Sequence, residues 1–213
     1  MHRMKSLGIK SLVCLLMLLP ALGFARDFKA GVDYTVLDKP VATETGNKIE
    51  VLEFFWYGCP HCFKFEPFVS KWKKQLPDNV EFIQVPSPLN PKWMVHTKTY
   101  YALELMDQLD NVHEDIFKAL HVERKKLFTR DSVADYLATK GIDRKLFVDT
   151  YDSFGVEMRA RKSMQLMQDY NVTGVPMLAV NGKYIITASQ AGSYAAMIEI
   201  TSYLVDKEAK SSN

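Results

Sequence analysis

The chain has 213 residues, 47% of them hydrophobic and 24% charged. That is enough apolar material for one large domain, or one domain with an insertion, and it excludes an intrinsically disordered polymer. The formal net charge is +2 without a long basic run, so nothing in the charge points to nucleic acid.

The chain opens as a secretory signal peptide. Arg3, Lys5 and Lys10 make a basic start, Leu12 to Leu19 a short apolar core, and Gly23-Phe24-Ala25 a small-residue cleavage site. The alternative, a retained anchor, would need a longer apolar run to span a bilayer. A lipoprotein reading fits poorly, because Cys14 lies inside the apolar run behind the bulky Val13. The mature protein is therefore expected to be soluble and to start near Arg26. Of the 27 basic residues three leave with residues 1–25, so 24 face 25 acidic ones and the net charge becomes −1. Of three cysteines, Cys59 and Cys62 remain.

Tyr34 to Leu37 suggests a short edge strand. Ile49 to Trp56 is dense in apolar and β-prone residues, the pattern of a central strand buried on both faces. Tyr57-Gly58 ends it, and a helix is expected to begin at Pro60, since proline suits the first helical position. Phe63, Phe68 and Trp72 suggest its apolar stripe, and Pro67 is expected to kink it. Val80 to Val85 alternates like a strand. Pro86, Pro88 and Pro91 then break regular structure. From about Trp93 to Gly155 the pattern is helical, with joints expected near Asp110-Asn111, Phe128 to Asp131 and Gly141 to Asp143. Thr129 with Ser132 lacks a full capping box. A long helix is expected from about Ser153 to Tyr170, a strand from Val175 to Val180, a tight turn at Asn181-Gly182, a returning strand at Tyr184 to Ile186, and a last helix from Ala191 to Val205. An all-helical block between two halves of an α/β unit reads as a domain insertion.

Cys59-Pro60-His61-Cys62 follows a strong strand and opens a helix, a context far more specific than a bare C-x-x-C pair. At a helix N-terminus, backbone N–H groups and the helix dipole stabilise a thiolate on Cys59, and His61 can add charge or a hydrogen bond. The thiolate is the attacking and leaving form. Cys62, one turn further in, is expected to be shielded and to resolve a mixed disulfide formed by Cys59. As a structural staple the pair would do little, because so short a loop restricts the unfolded chain weakly. A zinc site would need further ligands, and His96, His113 and His121 are scattered through the helical block. A c-type haem needs histidine where Phe63 stands. No metal or other cofactor is expected.

Phe54-Phe55-Trp56-Tyr57-Gly58-Cys59-Pro60-His61-Cys62, with Gly174-Val175-Pro176 and Val180-Asn181-Gly182-Lys183-Tyr184, resembles the DsbA family of periplasmic thiol oxidases. The two main motifs stand about 115 residues apart in the right order. The resemblance implies an α/β, thioredoxin-like fold with an inserted all-helical domain: residues 26–89 and 156–213 form the thioredoxin-like part and 90–155 the insertion. It implies that Val175-Pro176 is a cis-proline loop set against the active disulfide, where an extended substrate pairs with the backbone. It makes Glu53 a buried acid beneath the disulfide, a proton relay for Cys62. Glu66 is also a family position, though solvation would explain it equally well. One departure concerns a lysine that the family often carries on the strand after the active-site helix. Gln84 stands near its place, so the relay is expected to be weaker or differently wired.

Fold does not settle the direction of exchange. Pro60-His61 between the cysteines and Val175 before the proline resemble the oxidases. Stabilising the Cys59 thiolate stabilises the reduced form, and so makes the disulfide a stronger oxidant. The implied activity is a dithiol oxidase that donates its Cys59–Cys62 disulfide to reduced secreted proteins in the periplasm. A DsbB-like, quinone-linked membrane partner would reoxidise it, and a monomer is the default. The alternatives are an isomerase or reductase of the same fold and, from another class, a chaperone or peptide-binding module. For the last, Trp56, Tyr57, Trp93, Tyr100 and Tyr101 would line a binding surface, although core packing is the commoner fate of such residues.

Overall fold

The computed structural model describes residues 27–211; the signal peptide expected over residues 1–25 lies outside them. Among the described residues no helix is long and apolar enough to cross a membrane.

The centre is β2 (Ile49–Phe55), whose seven residues are all buried. It pairs in parallel with β3 (Val80–Pro86) and antiparallel with β4 (Met177–Val180). β5 (Tyr184–Thr187) and the two-residue β1 (Thr35–Val36) extend the sheet in the order β1-β5-β4-β2-β3. Side chains alternate between faces along a strand, and each face has its own apolar layer. Ile49, Val51, Leu178 and Val180 pack with Phe65, Val69, Met197, Ile200 and Leu204. Those partners come from α1 (Pro60–Lys73) and α8 (Tyr194–Ser211). Leu52, Phe54, Met177 and Ala179 face Tyr170 and Val172, beyond α6 (Phe154–Asp169). This alternation puts Glu53 on the Val51 face, beneath α1.

Between β3 and α6 come a 3₁₀ turn at Pro91–Trp93 and the helices α2 (Met94–Leu105), α3 (Leu109–His121), α4 (Arg130–Ala138) and α5 (Arg144–Tyr151). They share a third cluster that includes Leu103, Ile116, Phe117, Leu137 and Phe147 and takes in Phe55, Tyr57 and both cysteines. The redox loop thus sits where the helical block meets the sheet. The architecture is a thioredoxin-like α/β fold with an inserted helical domain.

Several local expectations change. The buried stripe of α1 is Cys62, Phe65, Val69 and Trp72; Phe68 is 41% exposed. Pro67 does stand inside this helix, exposed, and α1 runs on to Lys73. The first joint of the helical block lies at Met106 to Gln108, where Asp107 has φ 53°, and Asp110-Asn111 is inside α3. Thr129 and Ser132 do form a reciprocal capping box. The serine hydroxyl, short as it is, accepts the Thr129 N–H at 3.1 Å, and Thr129 Oγ1 accepts the Ser132 N–H at 3.1 Å. The last helix starts at Tyr194, after a separate turn α7 (Ala188–Ala191), because Gly192 takes φ 78° and closes that turn.

The β4–β5 turn is tightly specified. Asn181 and Gly182 have φ 49° and 67°, and the Lys183 N–H donates to the Val180 carbonyl at 3.0 Å. The buried Glu208 of α8 accepts from Asn181 Nδ2 at 2.6 Å and from the Tyr184 hydroxyl at 2.9 Å. A Cβ on Gly182 would stand 1.9 Å from the Val41 carbonyl oxygen. Gly182→Ala therefore combines a steric clash with an unfavourable φ. Urea unfolding is expected to show a loss of more than about 2 kcal/mol.

Candidate active site

Cys59 caps the N-terminus of α1. Its φ/ψ of −84°/117° are extended, and its Sγ accepts the Cys62 N–H at 3.4 Å. Pro60 follows in the first turn, where no N–H is missed. Cys62, one turn on, is 1% exposed and Cys59 7%. Both are free thiols. Opposite them the Val175–Pro176 peptide bond is cis, and the Cys59 thiol donates to the Val175 carbonyl at 3.4 Å. A cleft of about 290 Å³ runs alongside, lined by His61, Gly174, Val175, Pro176, Thr187 and Ser189 among others.

Beneath the thiols lies a polar cluster. Glu53 is 1% exposed and accepts from Gln84 Nε2 at 2.9 Å. The same amide nitrogen lies 3.4 Å from Glu66 Oε2 and 3.5 Å from His113 Nε2. His113 Nδ1 shares a 2.7 Å hydrogen bond with the Tyr57 hydroxyl.

The sequence profile of the DSBA-like thioredoxin domain matches residues 50–197. The chain is 39% identical over 205 residues to the thiol:disulfide interchange protein DsbA of Pseudomonas aeruginosa, covering 96% of this chain and 97% of that one. It is 39% identical over 182 residues to the DsbA of Azotobacter vinelandii, covering 85% of each. The crystal structure of Pseudomonas aeruginosa DsbA superposes with a TM-score of 0.83 at 41% identity, over 86% of this chain and 96% of that one. That of the oxidoreductase DsbA from Xylella fastidiosa gives 0.80 at 27%, over 85% and 98%. The chain belongs to the DsbA family. It is a thiol–disulfide oxidoreductase.

The DsbA fold makes the two thiols unequal. The Cys59 thiol is lowered to about 6, chiefly by the Cys62 side chain's hydrogen bond, against the opposing effect of burial; the backbone N–H groups of Cys62 and His61 add to the lowering. The charge of His61 is the smallest of these contributions, so the residue acts less through its imidazole than the sequence suggests. That side chain is exposed and shares a 3.0 Å hydrogen bond with the Tyr194 hydroxyl. The Cys62 thiol is pushed up by burial first, then by the hydrogen bond and charge of Cys59 and by Glu53. Glu53 is itself pushed well up by burial and by Glu66, while Gln84 and Lys73 oppose.

Two sequence readings are corrected here. Glu66 is not solvated: its side chain is 12% exposed and lies 3.5 Å from His113. The three histidines of the helical block are not scattered. His96 stands edge-on to the Tyr57 ring, His113 meets the Tyr57 hydroxyl, and His121 Nε2 donates to the Tyr57 carbonyl at 2.7 Å. The spacing of His113, Phe117 and His121 on one face of α3 was the available signal. Tyr57, Tyr100 and Tyr101 are buried. Trp56 and Trp93 are half-buried and stack at 3.8 Å with 5° between their planes.

Lowering Cys59 has a definite sign. A thiol whose folded value is depressed favours the folded reduced chain at high pH. That contribution is full above the ordinary cysteine value of about 8.5 and is lost as pH falls through about 6. Thiolate absorbance at 240 nm in reduced protein is expected to rise with a midpoint near 6, and in Cys59→Ser that step should vanish.

Proposed function

We propose that this protein is a periplasmic dithiol oxidase that introduces disulfide bonds into reduced secreted proteins by donating a Cys59–Cys62 disulfide. The observation that carries this reading is the position of Cys59 Sγ, which caps α1 and lies within 3.4 Å of both the Cys62 N–H and the Val175 carbonyl. A substrate thiolate attacks Cys59, the Cys59–Cys62 bond breaks, and Cys62 leaves with the pair of electrons and takes up a proton. A second substrate thiolate then attacks the substrate sulfur of the mixed disulfide, and Cys59 departs as the stabilised thiolate. Pro60 starts the helix that provides this stabilisation, and His61 lines the cleft beside it.

Val175 and Pro176 are the substrate-binding residues of this reading. The cleft beside them accepts an extended segment whose backbone pairs with that of Val175. Glu53 relays the proton of Cys62. Residues 26–89 and 156–213 supply this machinery and residues 90–155 the cover over it. A DsbB-like, quinone-linked membrane protein restores the disulfide, and the protein works as a monomer after its leader is removed. No metal or organic cofactor takes part.

The deciding test is the equilibrium of the Cys59–Cys62 pair in graded glutathione buffers at pH 7. An oxidase stays reduced until the buffer is strongly oxidising. A pair that remains oxidised in mildly reducing buffer would mean a reductive role instead. Cys59→Ser should abolish thiol oxidation, and Cys62→Ser should accumulate mixed disulfides with substrate.

A further inference from the structure

In the oxidase reading the proton of Cys62 enters and leaves a buried site in every cycle, yet Glu53, 1% exposed, has almost no contact with solvent through which to exchange it. Gln84 holds Glu53 but does not titrate. His113, 8% exposed, is the imidazole of the cluster, a side chain able to take up and release a proton at either ring nitrogen. Its Nε2 lies 3.5 Å from both Glu66 Oε2 and Gln84 Nε2. Its Nδ1 is bonded to the Tyr57 hydroxyl, buried and held neutral by burial. A phenol hydroxyl can donate or accept, whichever its partner needs, so His113 can gain or lose a proton without losing that bond.

A cavity of about 370 Å³ leads to this point. Gln84, Glu66 and His113 form its inner wall, and the exposed Lys73, Asp110 and Glu114 lie on its rim. The titratable and charged groups around His113 come from every neighbouring element: Glu53 from β2 and Tyr57 just after it, Glu66 and Lys73 from α1, Glu81 from β3, Tyr100 and Glu104 from α2, and Asp110 and Glu114 from α3. Carboxylates dominate.

We propose that His113 is a positioning residue of the exchange reaction: it carries the exchangeable positive charge that offsets Glu66 and, through Gln84, Glu53, and so sets how readily Cys62 gives up and regains its proton. This rests on the use of Cys62 in the oxidase reading. When the protein is reoxidised, the proton of Cys62 passes to Glu53 and the Cys62 thiolate attacks Cys59 of a mixed disulfide. The Cys59–Cys62 bond forms, the bond from Cys59 to the partner sulfur breaks, and the partner leaves as a thiolate that takes a proton from water. A protonated His113 makes Glu53 easier to ionise and so favours the step at low pH.

The test uses reduced full-length mature protein and excess oxidised glutathione, with acid quenching and mass counting of the Cys59–glutathione adduct. This isolates the Cys62 step from the titration of Cys59. His113→Gln is expected to slow decay of the adduct by about three- to tenfold at pH 6, as a half- to one-unit displacement of a pKa would. It should converge with the parent near pH 9. Parallel or superimposed profiles would overturn the proposal, because a merely structural role lowers the rate equally at all pH. If the parent never resolves its adduct, the use of Cys62 fails, and this inference with it. Should His113→Gln not fold, the His113 ring is followed by NMR in the parent and in Glu66→Gln. A midpoint that moves down on loss of the carboxylate supports the proposal; a ring that does not titrate between pH 4.5 and 9 overturns it.

Discussion

Much of this molecule follows from one sulfur standing where a helix begins. The first turn of α1 has backbone N–H groups with no intrahelical partner, and Cys59 Sγ takes up one of them, that of Cys62, at 3.4 Å. A helix needs that cap in any case, and here the capping atom is also the reactive one. The arrangement requires a strand that delivers Cys59 to the helix start, a helix rigid enough to hold Cys62 one turn inside, and a cover that keeps water from Cys62. β2, α1 and the helical block supply these in turn. Their packing sets one thiol against the Val175 carbonyl and buries the other more deeply, under the influence of the Glu53 carboxyl, so the pair is asymmetric before any substrate arrives.

The parts legible in the sequence are those governed by local rules. The two-sided burial of β2 follows from its run of apolar residues, the start of α1 from Pro60, and the β4–β5 turn from Asn181-Gly182. Cys59 and Cys62 were found because their spacing and context are rare together. What local patterns missed depends on tertiary contact. Phe68 has the composition of a core residue but faces outward, because α1 turns Phe65 and Val69 toward the sheet. Glu66 reads as a surface residue until β3 and α3 close over it. The histidines, separated by up to 25 positions in the chain, converge only because α2 and α3 pack around Tyr57. Gln84 was noted as a departure, but its bridging of two carboxylates is a property of β3 lying beside β2 in that register.

The buried polar cluster is costly in isolation, since carboxylates lose water that one amide and one imidazole only partly replace. Glu53 answers by holding its proton more tightly. The same shift suits the relay proposed for Glu53, which takes a proton from Cys62 and returns it. Stability and chemistry are therefore served by one physical effect at this position.

The Trp56–Trp93 stack has a mechanical consequence. Trp56 precedes the redox loop and folds against Gly58, where an added Cβ would come within 2.3 Å of its ring. Trp93 stands in the turn that leads into α2. The two rings join the loop to the doorway of the helical block, face to face at 3.8 Å. Swinging the block away from the cysteines means parting these rings, at a cost of about 0.5–1.5 kcal/mol beyond the area exposed.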